Sequence, residues 1–466
     1  MQSHTFTRSR GVPIYMNGSV SHQRLYDRLS EPSTSRQLPR SISLAPTGQR
    51  GSNRREREHV DNSLPSTFIP RFHDESAVRR MTYRQIPGTD IRISKIGFGA
   101  AAIGGMFGNV EDSITKIVET AIKQGINYID TGYWYSQSRS ESILGKALSK
   151  IPRKSYYIST KVGRFELDYA RTFDFRADKI LESLTNSLKR LQLTYIDICY
   201  VQIHDADFAP NESIVLYETL QALEMAKSSG KIRHIGLTGY PLGKLVHIID
   251  CSSTKIDFVM TYCKGTLNNN ALGQFTAWFQ THNIAIINSG ALCWGLLTEK
   301  GPPPWHPASD EIREACLAAT TYCSVGSYFF QHLIFVYLQS KNISISKLAL
   351  DYALNFPNII CCLVGMDSVQ QVMDNLELAN YTKITDVEQR VRDRIMRRYL
   401  DRLENAGWEG VDVAQYWKKL KKLGLTALAT HRHSSVESLA STLNGFSLYS
   451  SNSSSELRTP RRRRPF

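Results

Sequence analysis

The chain lacks a CxxC pair, a His-rich segment, a secretory leader and a GxGxxG motif between its first strand and helix. The missing ligand pairs argue against a zinc site, so no metal is expected. The missing glycine motif removes the usual signal of a dinucleotide-binding open sheet. Its most apolar segment, Val325–Gln339, is shorter than the roughly 20 residues that a membrane span needs, and no span is expected.

The eight cysteines all fall between Cys199 and Cys362. With no secretory leader, this distribution predicts reduced, buried thiols in a cytoplasmic protein. Cys361 and Cys362 are adjacent on a predicted strand, so their side chains point to opposite faces and do not pair with each other.

Positive charge is concentrated at the two ends. The formal net charge is +14, but residues 1–80 carry 13 arginines against 7 acids, and residues 455–466 carry 5 arginines against 1 acid. The remainder is close to neutral, so a nucleic-acid partner is not expected.

The composition predicts three regions. Residues 1–80 and 426–466 are Ser-rich, have no sustained periodicity and are predicted to be disordered tails, with one folded domain over 81–425. The Arg-rich start also resembles an organellar import signal, a less favoured alternative to a solvated tail. Arg461–Arg464 has the composition of a nuclear signal or of an acidic-surface ligand, or is simply a charged end.

Between the tails, short β-rich runs alternate with helical patterns, which favours an α/β protein with a (β/α)8 (TIM) barrel over a doubly wound open sheet. Thr82–Gly99 is predicted to form an N-terminal β-hairpin turned by Pro87-Gly88 and to lead into the first barrel strand. An apolar stripe predicts a helix over 178–191. The other strands are predicted near 127–130, 156–161, 196–203, 232–238, 257–262, 284–289 and 359–364.

Val325–Gln339 interrupts this alternation. Its first residue is encoded by a GT-starting codon, its last is compatible with an AG ending, and its Phe, Leu, Tyr and Ile content implies pyrimidine-rich coding. We therefore interpret it as an apolar insertion that is a translated intron. Sequencing the transcripts tests this interpretation, and retention of the segment in every mRNA of a well-expressed protein would contradict it.

Asp130, Tyr135, Lys161 and His204 each lie at or just beyond the end of an apolar run. The carboxyl ends of barrel strands converge on one mouth, so an acid, a phenol, an amine and an imidazole are expected to form a proton-transfer site there. Taken singly, each has a structural alternative. Asp130 could cap a helix, and Tyr135 could belong to an aromatic rim with Tyr133 and Trp134. Lys161 could be a solvated strand end, and His204 a core histidine.

Several longer motifs, in order, resemble the aldo-keto reductase superfamily and its L-galactose dehydrogenase and D-threo-aldose dehydrogenase branch. The resemblance spans roughly residues 81–400. It rests on Gly97-Phe98-Gly99, GINYIDTGYWYSQSRSESILGKAL (125–148), ISTKVGR (158–164), FDFRADKILESLTNSLKRLQLTYIDI (173–198), GKIRHIGLTGYPL (230–242), WGLLTEKGPPPWHPAS (294–309) and LVGMDSVQQVMDN (363–375).

This resemblance implies that Asp130, Tyr135, Lys161 and His204 are the catalytic tetrad. In that arrangement Tyr135 exchanges a proton with the sugar hydroxyl while hydride moves between carbon and nicotinamide, and His204 orients the reacting oxygen. A tyrosine is a poor base at neutral pH, so the ammonium of Lys161 is expected to lower the pKa of the phenol.

The resemblance also implies an extended NAD or NADP over the barrel mouth. Thr238 is assigned to the nicotinamide carboxamide, the 290–297 loop to the diphosphate and residues 365–375 to the adenosine half. The cofactor-binding residues that the resemblance implies are Asp130, Thr238, Gly290, Leu292, Gly295, Leu297, Gly365, Ser368, Gln371 and Asn375.

The region expected to hold a 2′-phosphate contains Gly365 and Gln371, with Asp367 nearby and no cation. This electrostatic environment favours NAD. The sequence departs from the branch at Tyr133, Gly239, Gly265-Thr266 and Gly290-Ala291, and these departures bear on cofactor and substrate affinity.

The predicted function is an NAD(P)-dependent aldose 1-dehydrogenase acting on an L-galactose- or L-fucose-like sugar. One alternative is a broad aldehyde or ketone reductase. Another is a cofactor-binding regulatory subunit similar to the channel-associated β subunits of the superfamily. A third is a poorly folded splice product that carries the insertion.

Overall fold

The computed structural model describes residues 64–104, 113–166, 172–203, 212–324, 342–409 and 411–422. The strands are β1 Tyr83–Gln85, β2 Arg92–Ser94, β3 Ile96–Gly99, β4 Tyr128–Asp130, β5 Tyr157–Val162, β6 Ile196–Gln202, β7 Ile232–Gly239, β8 Phe258–Tyr262, β9 Ala285–Ser289 and β10 Cys361–Gly365. Eight of them are parallel and form a closed barrel in the order β10-β3-β4-β5-β6-β7-β8-β9, which confirms the (β/α)8 prediction and excludes the open sheet. Strands β1 and β2 form a separate antiparallel pair.

Helices surround this barrel. The predicted helix over 178–191 spans Ala177–Leu191, and its apolar stripe is buried against the sheet. The described α-helices of six or more residues are α1 Glu75–Arg80, α2 Ile114–Lys123, α3 Arg139–Leu148, α4 Ala177–Leu191, α5 Leu220–Ser228, α6 Leu242–Cys251, α7 Thr276–Thr281, α8 Asp310–Ser324, α9 Ile345–Leu354, α10 Val369–Asn380, α11 Asp386–Ile395 and α12 Val411–Lys422. A short helix, Glu212–Ile214, and a π-helical stretch, Val215–Thr219, run directly into α5.

The predicted hairpin closes the N-terminal end of the barrel. Its turn contains Gly88 at φ +70°, a left-handed conformation that glycine adopts without a steric penalty. Ile86, Ile91 and Ile93 from the hairpin are buried in one cluster with the side chains that fill the barrel interior. A hairpin was therefore predicted correctly, and it serves as the floor of the barrel.

The barrel interior pairs glycines with large aromatic side chains. A Cβ added at Gly236 would lie 2.5 Å from the ring of Tyr200, and one at Gly97 would lie 3.0 Å from the ring of Tyr128. Both tyrosines are fully buried. Glycine at these strand positions provides the space in which two phenols reach the centre of the barrel.

The N-terminal tail was predicted to extend to residue 80, but residues 64–80 are part of the fold. Asp74 caps α1 by accepting a hydrogen bond from the N–H of Ala77, and Ala77 and Val78 are buried. Thr67 is buried as well, and its hydroxyl accepts a hydrogen bond from the Asn127 amide at 3.1 Å. Composition alone did not predict this segment as folded, because the segment has too few apolar residues to show a helical periodicity.

A chain beginning at Met81 is therefore expected to be less stable than one beginning at residue 64. Removing 64–80 exposes the surface that Ala77 and Val78 cover and removes one partner of Asn127, and we expect a loss of about 3 kcal/mol in the free energy of unfolding. Urea denaturation of the two truncated chains measures the difference. Equal midpoints would show that these residues contribute nothing to the fold.

The cysteines confirm most of the thiol prediction. All eight are free and seven are buried, whereas Cys251 is exposed, which corrects the expectation for that residue. Cys361 belongs to the interior cluster and Cys362 to the cluster outside the barrel, so the two side chains point in opposite directions as predicted.

The apolar insertion 325–339 and the tail segments 1–63 and 423–466 lie outside the described residues. The residues flanking the insertion are close together, because the N–H of Ile343 donates to the carbonyl of Cys323 at 3.3 Å. Among the helices that are described, none is both long and apolar enough to cross a membrane.

Candidate active site

A buried ion pair occupies the mouth of the barrel. Asp130 ends β4, and the Lys161 ammonium from β5 donates to its two carboxylate oxygens at 2.6 and 2.5 Å and to the carbonyl of Thr131 at 2.9 Å. Only 2% of Asp130 and 4% of Lys161 is exposed, which excludes a solvated strand end and a simple helix cap. A charge pair this far from water persists only because both partners are hydrogen-bonded.

A series of hydrogen-bonded hydroxyl groups leads from the Asp130 carboxylate into the barrel interior. Ser159 donates to Asp130 at 2.7 Å, and its own oxygen lies 2.8 Å from the phenol of Tyr128. Tyr128 in turn lies 3.2 Å from the phenol of Tyr200. Sequence analysis did not identify this series of hydroxyls, although side chains alternate between the two faces of β5 and Ser159 and Lys161 therefore lie on the same face.

Tyr135 lies over this pair, as predicted. Its hydroxyl donates to Asp130 at 3.2 Å, and the Lys161 nitrogen is 4.6 Å from the centre of its ring. The acid, the amine and the phenol therefore meet at one point although they come from two strands and a loop. His204 lies outside the described residues, and its role remains a prediction.

The pKa of Tyr135 departs from the expectation. Burial raises it well above its usual value, and the negative charge of Asp130 and the hydrogen bond to that carboxylate raise it further. Burial also lowers the pKa of Lys161, against the opposing effect of Asp130. The expectation that Lys161 lowers the pKa of the Tyr135 phenol is therefore wrong. The ammonium interacts with the carboxylate, and the phenol is protonated at neutral pH.

The loop carrying Tyr135 is constrained. Ser136, Gln137 and Ser138 all have positive φ, which is unfavourable for residues with side chains. The N–H of Ser138 donates to the carbonyl of Tyr133, which closes the loop. Three successive left-handed residues reverse the chain so that α3 begins directly behind the tyrosine.

A second buried carboxylate fixes α3 behind the site. Glu141 accepts hydrogen bonds from Thr160 at 2.6 Å and from Arg190 at 2.7 Å. Thr160 precedes Lys161 on β5, so this network connects the helix after Tyr135 to the strand that carries the lysine. Sequence analysis did not identify Glu141, because a helix-surface glutamate and a buried one look alike in sequence.

Aromatic side chains line the rim. Tyr240 packs edge-to-face on Tyr262, with ring centres 4.8 Å apart, and Tyr262 contacts Trp294 at 6.0 Å. On another part of the rim, the Arg164 guanidinium lies 3.7 Å from the ring centre of Trp134. Aromatic walls with a few polar groups are typical of small-molecule sites. Trp134 lies on this rim, whereas the hydroxyl of Tyr135 reaches the buried Asp130 carboxylate, so Tyr135 is more than a rim aromatic.

Comparison with known proteins identifies the family and supports the fold. Residues 95–395 match the Aldo/keto reductase family. The chain is 35% identical over 333 residues to L-galactose dehydrogenase of Arabidopsis thaliana, covering 71% of this chain and 97% of that protein. The chain belongs to the aldo/keto reductase family.

One further relative and one solved structure are also similar to this chain. D-arabinose 1-dehydrogenase of Saccharomyces cerevisiae is 27% identical over 336 residues, covering 68% of this chain and 93% of that protein. The solved structure of a glycerol dehydrogenase from Gluconobacter oxydans superposes with a TM-score of 0.53, at 24% identity and with 68% and 96% coverage, and it supports the fold. This aldo/keto reductase is an NAD(P)-dependent oxidoreductase with an L-galactose dehydrogenase-like sequence.

The mouth offers polar groups that fit a nicotinamide carboxamide. Gln202, at the end of β6, has a buried side-chain oxygen without a hydrogen-bond partner in the structure. It lies in register with the buried Thr238 of β7. An acceptor left unpaired inside a protein is costly, so a donor from a ligand would satisfy it. Gln202 was not among the sequence-predicted residues.

The 290–297 loop is a compact turn beside these strands. Gly290 and Gly295 have φ of +78° and +97°, and a Cβ on Gly290 would lie 2.6 Å from the sulfur of Cys263. Leu292 is half-buried. Leu297 is fully buried, and its N–H donates to the carbonyl of Leu292. Leu297 therefore supports the turn, while the two glycines bring backbone to the surface of the mouth.

The start of α10 is the candidate site for the adenosine half. Ser368 caps this helix by accepting from the N–H of Gln371 at 3.2 Å, and the side chain of Gln371 accepts from the N–H of Asp367 at 3.1 Å. Gly365 is exposed, and a Cβ there would have only ordinary contacts. Asn375 is half-buried one turn further on. The assignment of these residues to the cofactor remains a prediction.

Proposed function

We propose that this aldo/keto reductase oxidises the anomeric hydroxyl of an L-galactose- or L-fucose-like aldose to a lactone. The main support is the buried Asp130–Lys161 pair with the Tyr135 phenol above it, at the mouth of a barrel similar in sequence to a plant L-galactose dehydrogenase. The aromatic rim provides apolar surfaces for a sugar ring.

The nicotinamide cofactor supplies the hydride acceptor when bound. Tyr135 exchanges the proton with the sugar oxygen, and Asp130 accepts the phenol hydrogen bond in the absence of substrate. Lys161 neutralises the carboxylate and keeps it in place. Gln202 and Thr238 would hold the carboxamide, and His204 is proposed to orient the reacting oxygen.

A panel of L- and D-aldoses with NAD or NADP tests the proposal. We expect turnover with L-galactose or L-fucose and formation of the lactone, with little activity on D-glucose. Activity only in the direction of aldehyde reduction would favour the broad reductase, which a protonated Tyr135 also suits. Tight cofactor binding without turnover on any carbonyl or sugar would favour the regulatory subunit.

The rate of sugar oxidation is expected to rise with pH. Because the pKa of Tyr135 is raised, the phenolate is the minor form at neutral pH, and its fraction grows about tenfold per pH unit below that pKa. Reduction uses the protonated form and should be flat over the same range. Profiles of kcat/KM in both directions between about pH 6 and 9 measure this. An oxidation rate that falls with pH would contradict it.

We also propose NAD as the preferred cofactor. Between Cys361 and Asn380 the sequence has no lysine or arginine and includes Asp367, Asp374 and Glu377. A 2′-phosphate near the start of α10 would meet carboxylates and no cation from this segment, which disfavours NADP by electrostatics.

Gln371→Arg is expected to shift the preference toward NADP. The new guanidinium would lie near the proposed 2′-phosphate position, and we expect the NADP/NAD ratio of kcat/KM to rise by about tenfold. Gln370→Arg is the matched control, because Gln370 is the exposed neighbour whose side chain pairs with Asp374. An equal shift in both variants would point to a general charge effect, and wild-type preference for NADP would overturn the NAD proposal.

A further inference from the structure

Three side chains of metal-ligating types, none of them part of the proton-transfer site, meet in the helical layer around the barrel. Glu212 and His247 are joined by a hydrogen bond of 2.8 Å between a carboxylate oxygen and Nε2. The sulfur of Cys251 lies 3.9 Å from both ring nitrogens of His247. One ligand atom from each of the three residues lies within 4.8 Å of the others.

The spacing of two of these residues is typical of helical metal sites. His247 and Cys251 are four residues apart on α6, so they lie on the same face one turn apart. Glu212 comes from a separate segment that leads into α5. Two ligands on one helix and one on a neighbouring segment form a chelate that a sequence pattern from one segment does not reveal.

The distances are close to those of a tetrahedral site. Zinc bonds of about 2.0 to 2.3 Å to nitrogen, oxygen and sulfur place neighbouring ligand atoms about 3.3 to 3.7 Å apart. The separations from Nε2 of His247 are 2.8 Å to Glu212 and 3.9 Å to Cys251, all three ligand atoms lie within 4.8 Å of one another, and side-chain shifts are required to bring them to these values. Because His247 and the exposed Glu212 and Cys251 belong to the solvent-facing helix layer, such shifts do not disturb the core.

The ligand chemistry selects the type of metal. A thiolate, an imidazole and a carboxylate suit Zn²⁺ and other borderline or soft divalent ions, whereas Mg²⁺ and Ca²⁺ prefer oxygen ligands alone. A thiol is mostly protonated at neutral pH and binds zinc as the thiolate, so metal binding would release a proton.

We propose that Glu212, His247 and Cys251 form a Zn²⁺ site with three protein ligands and one position open to water. The site would link the segment leading into α5 to α6 and thereby restrain two neighbouring parts of the helical layer. The expectation of no metal from sequence rested on missing CxxC and His-rich patterns, which do not cover a His-x3-Cys pair joined by a distant glutamate.

Cobalt titration of the untagged, metal-stripped full-length protein tests the proposal. One Co²⁺ per chain should produce a thiolate-to-cobalt charge-transfer band and visible bands of tetrahedral intensity, and one equivalent of Zn²⁺ should bleach them. Zn²⁺ at about 100 times its dissociation constant should also raise the melting temperature, as expected for a ligand of the folded state.

Variants locate the ligands. Cys251→Ser should abolish the charge-transfer band, and His247→Gln and Glu212→Gln should each weaken cobalt binding at least about tenfold. His282→Gln is the control, because His282 is a helix-end histidine stacked on Trp278 and distant in sequence from the site. A charge-transfer band that survives Cys251→Ser, or wild-type protein that shows none, would overturn the proposal. Both outcomes are independent of catalytic activity.

Discussion

Replacing Tyr135 with phenylalanine is expected to lower kcat for sugar oxidation by about 10³-fold while leaving the fold intact. The substitution removes only the hydroxyl, which donates to Asp130 and is the proposed acid-base group. The ring that packs over the Lys161 nitrogen remains. Steady-state kinetics at saturating cofactor and sugar measure the loss, and the melting curve reports the fold.

Tyr133→Phe provides the matched control. The Tyr133 hydroxyl donates to Glu166 at 3.2 Å on the rim and makes no hydrogen bond to the ion pair. We expect its removal to change kcat by less than about threefold, because no proton passes through it. If Tyr135→Phe kept more than about a tenth of the wild-type rate, another group would have to be the acid or base.

Lys161→Met is expected to destabilise the protein by about 3 to 5 kcal/mol and to abolish turnover. Methionine fills much the same volume but leaves the Asp130 carboxylate buried without its cation, which is more costly than losing the pair altogether. Chemical denaturation of the variant and the wild type gives the difference in the free energy of unfolding.

A second substitution separates charge from packing. Adding Asp130→Asn to Lys161→Met removes the uncompensated charge and keeps an amide to pair with Ser159 and Tyr135, so at least half of the lost stability should return while activity does not. Lys179→Met, in the partly exposed pair with Glu182, should change stability by less than about 1 kcal/mol. A double variant as unstable as the single one would show that the loss came from packing.

The sequence predicted the barrel and the meeting of three candidate residues at its mouth for a simple reason. Barrel strands end in register at one mouth, so Asp130 and Lys161 were expected to meet once β4 and β5 were recognised as neighbours. Tyr135 was expected there because it closely follows the end of β4, and the family resemblance implied the same position. The hairpin was recognisable from its Pro-Gly turn, although its position as the floor of the barrel was not.

Other features depend on contacts that no local pattern encodes. Ser159, Glu141 and Gln202 act through neighbours on other strands or helices, and nothing in their immediate sequence distinguishes them from ordinary strand or helix residues. The direction of the pKa shift of Tyr135 was missed because it depends first on burial and then on the nearby Asp130 carboxylate, neither of which a local sequence pattern gives. The ordered residues 64–80 were missed because Arg- and Ser-rich composition outweighed a short capped helix.

The hydrogen bond between Ile343 and Cys323 joins the two ends of the segment that connects α8 to α9. For a loop closed in this way, doubling its length adds only about 0.6 kcal/mol of closure entropy. Alternative transcripts that differ only there would share one scaffold. Any contrast in their behaviour would therefore arise from what the extra residues touch, and the catalytic barrel would be common to both.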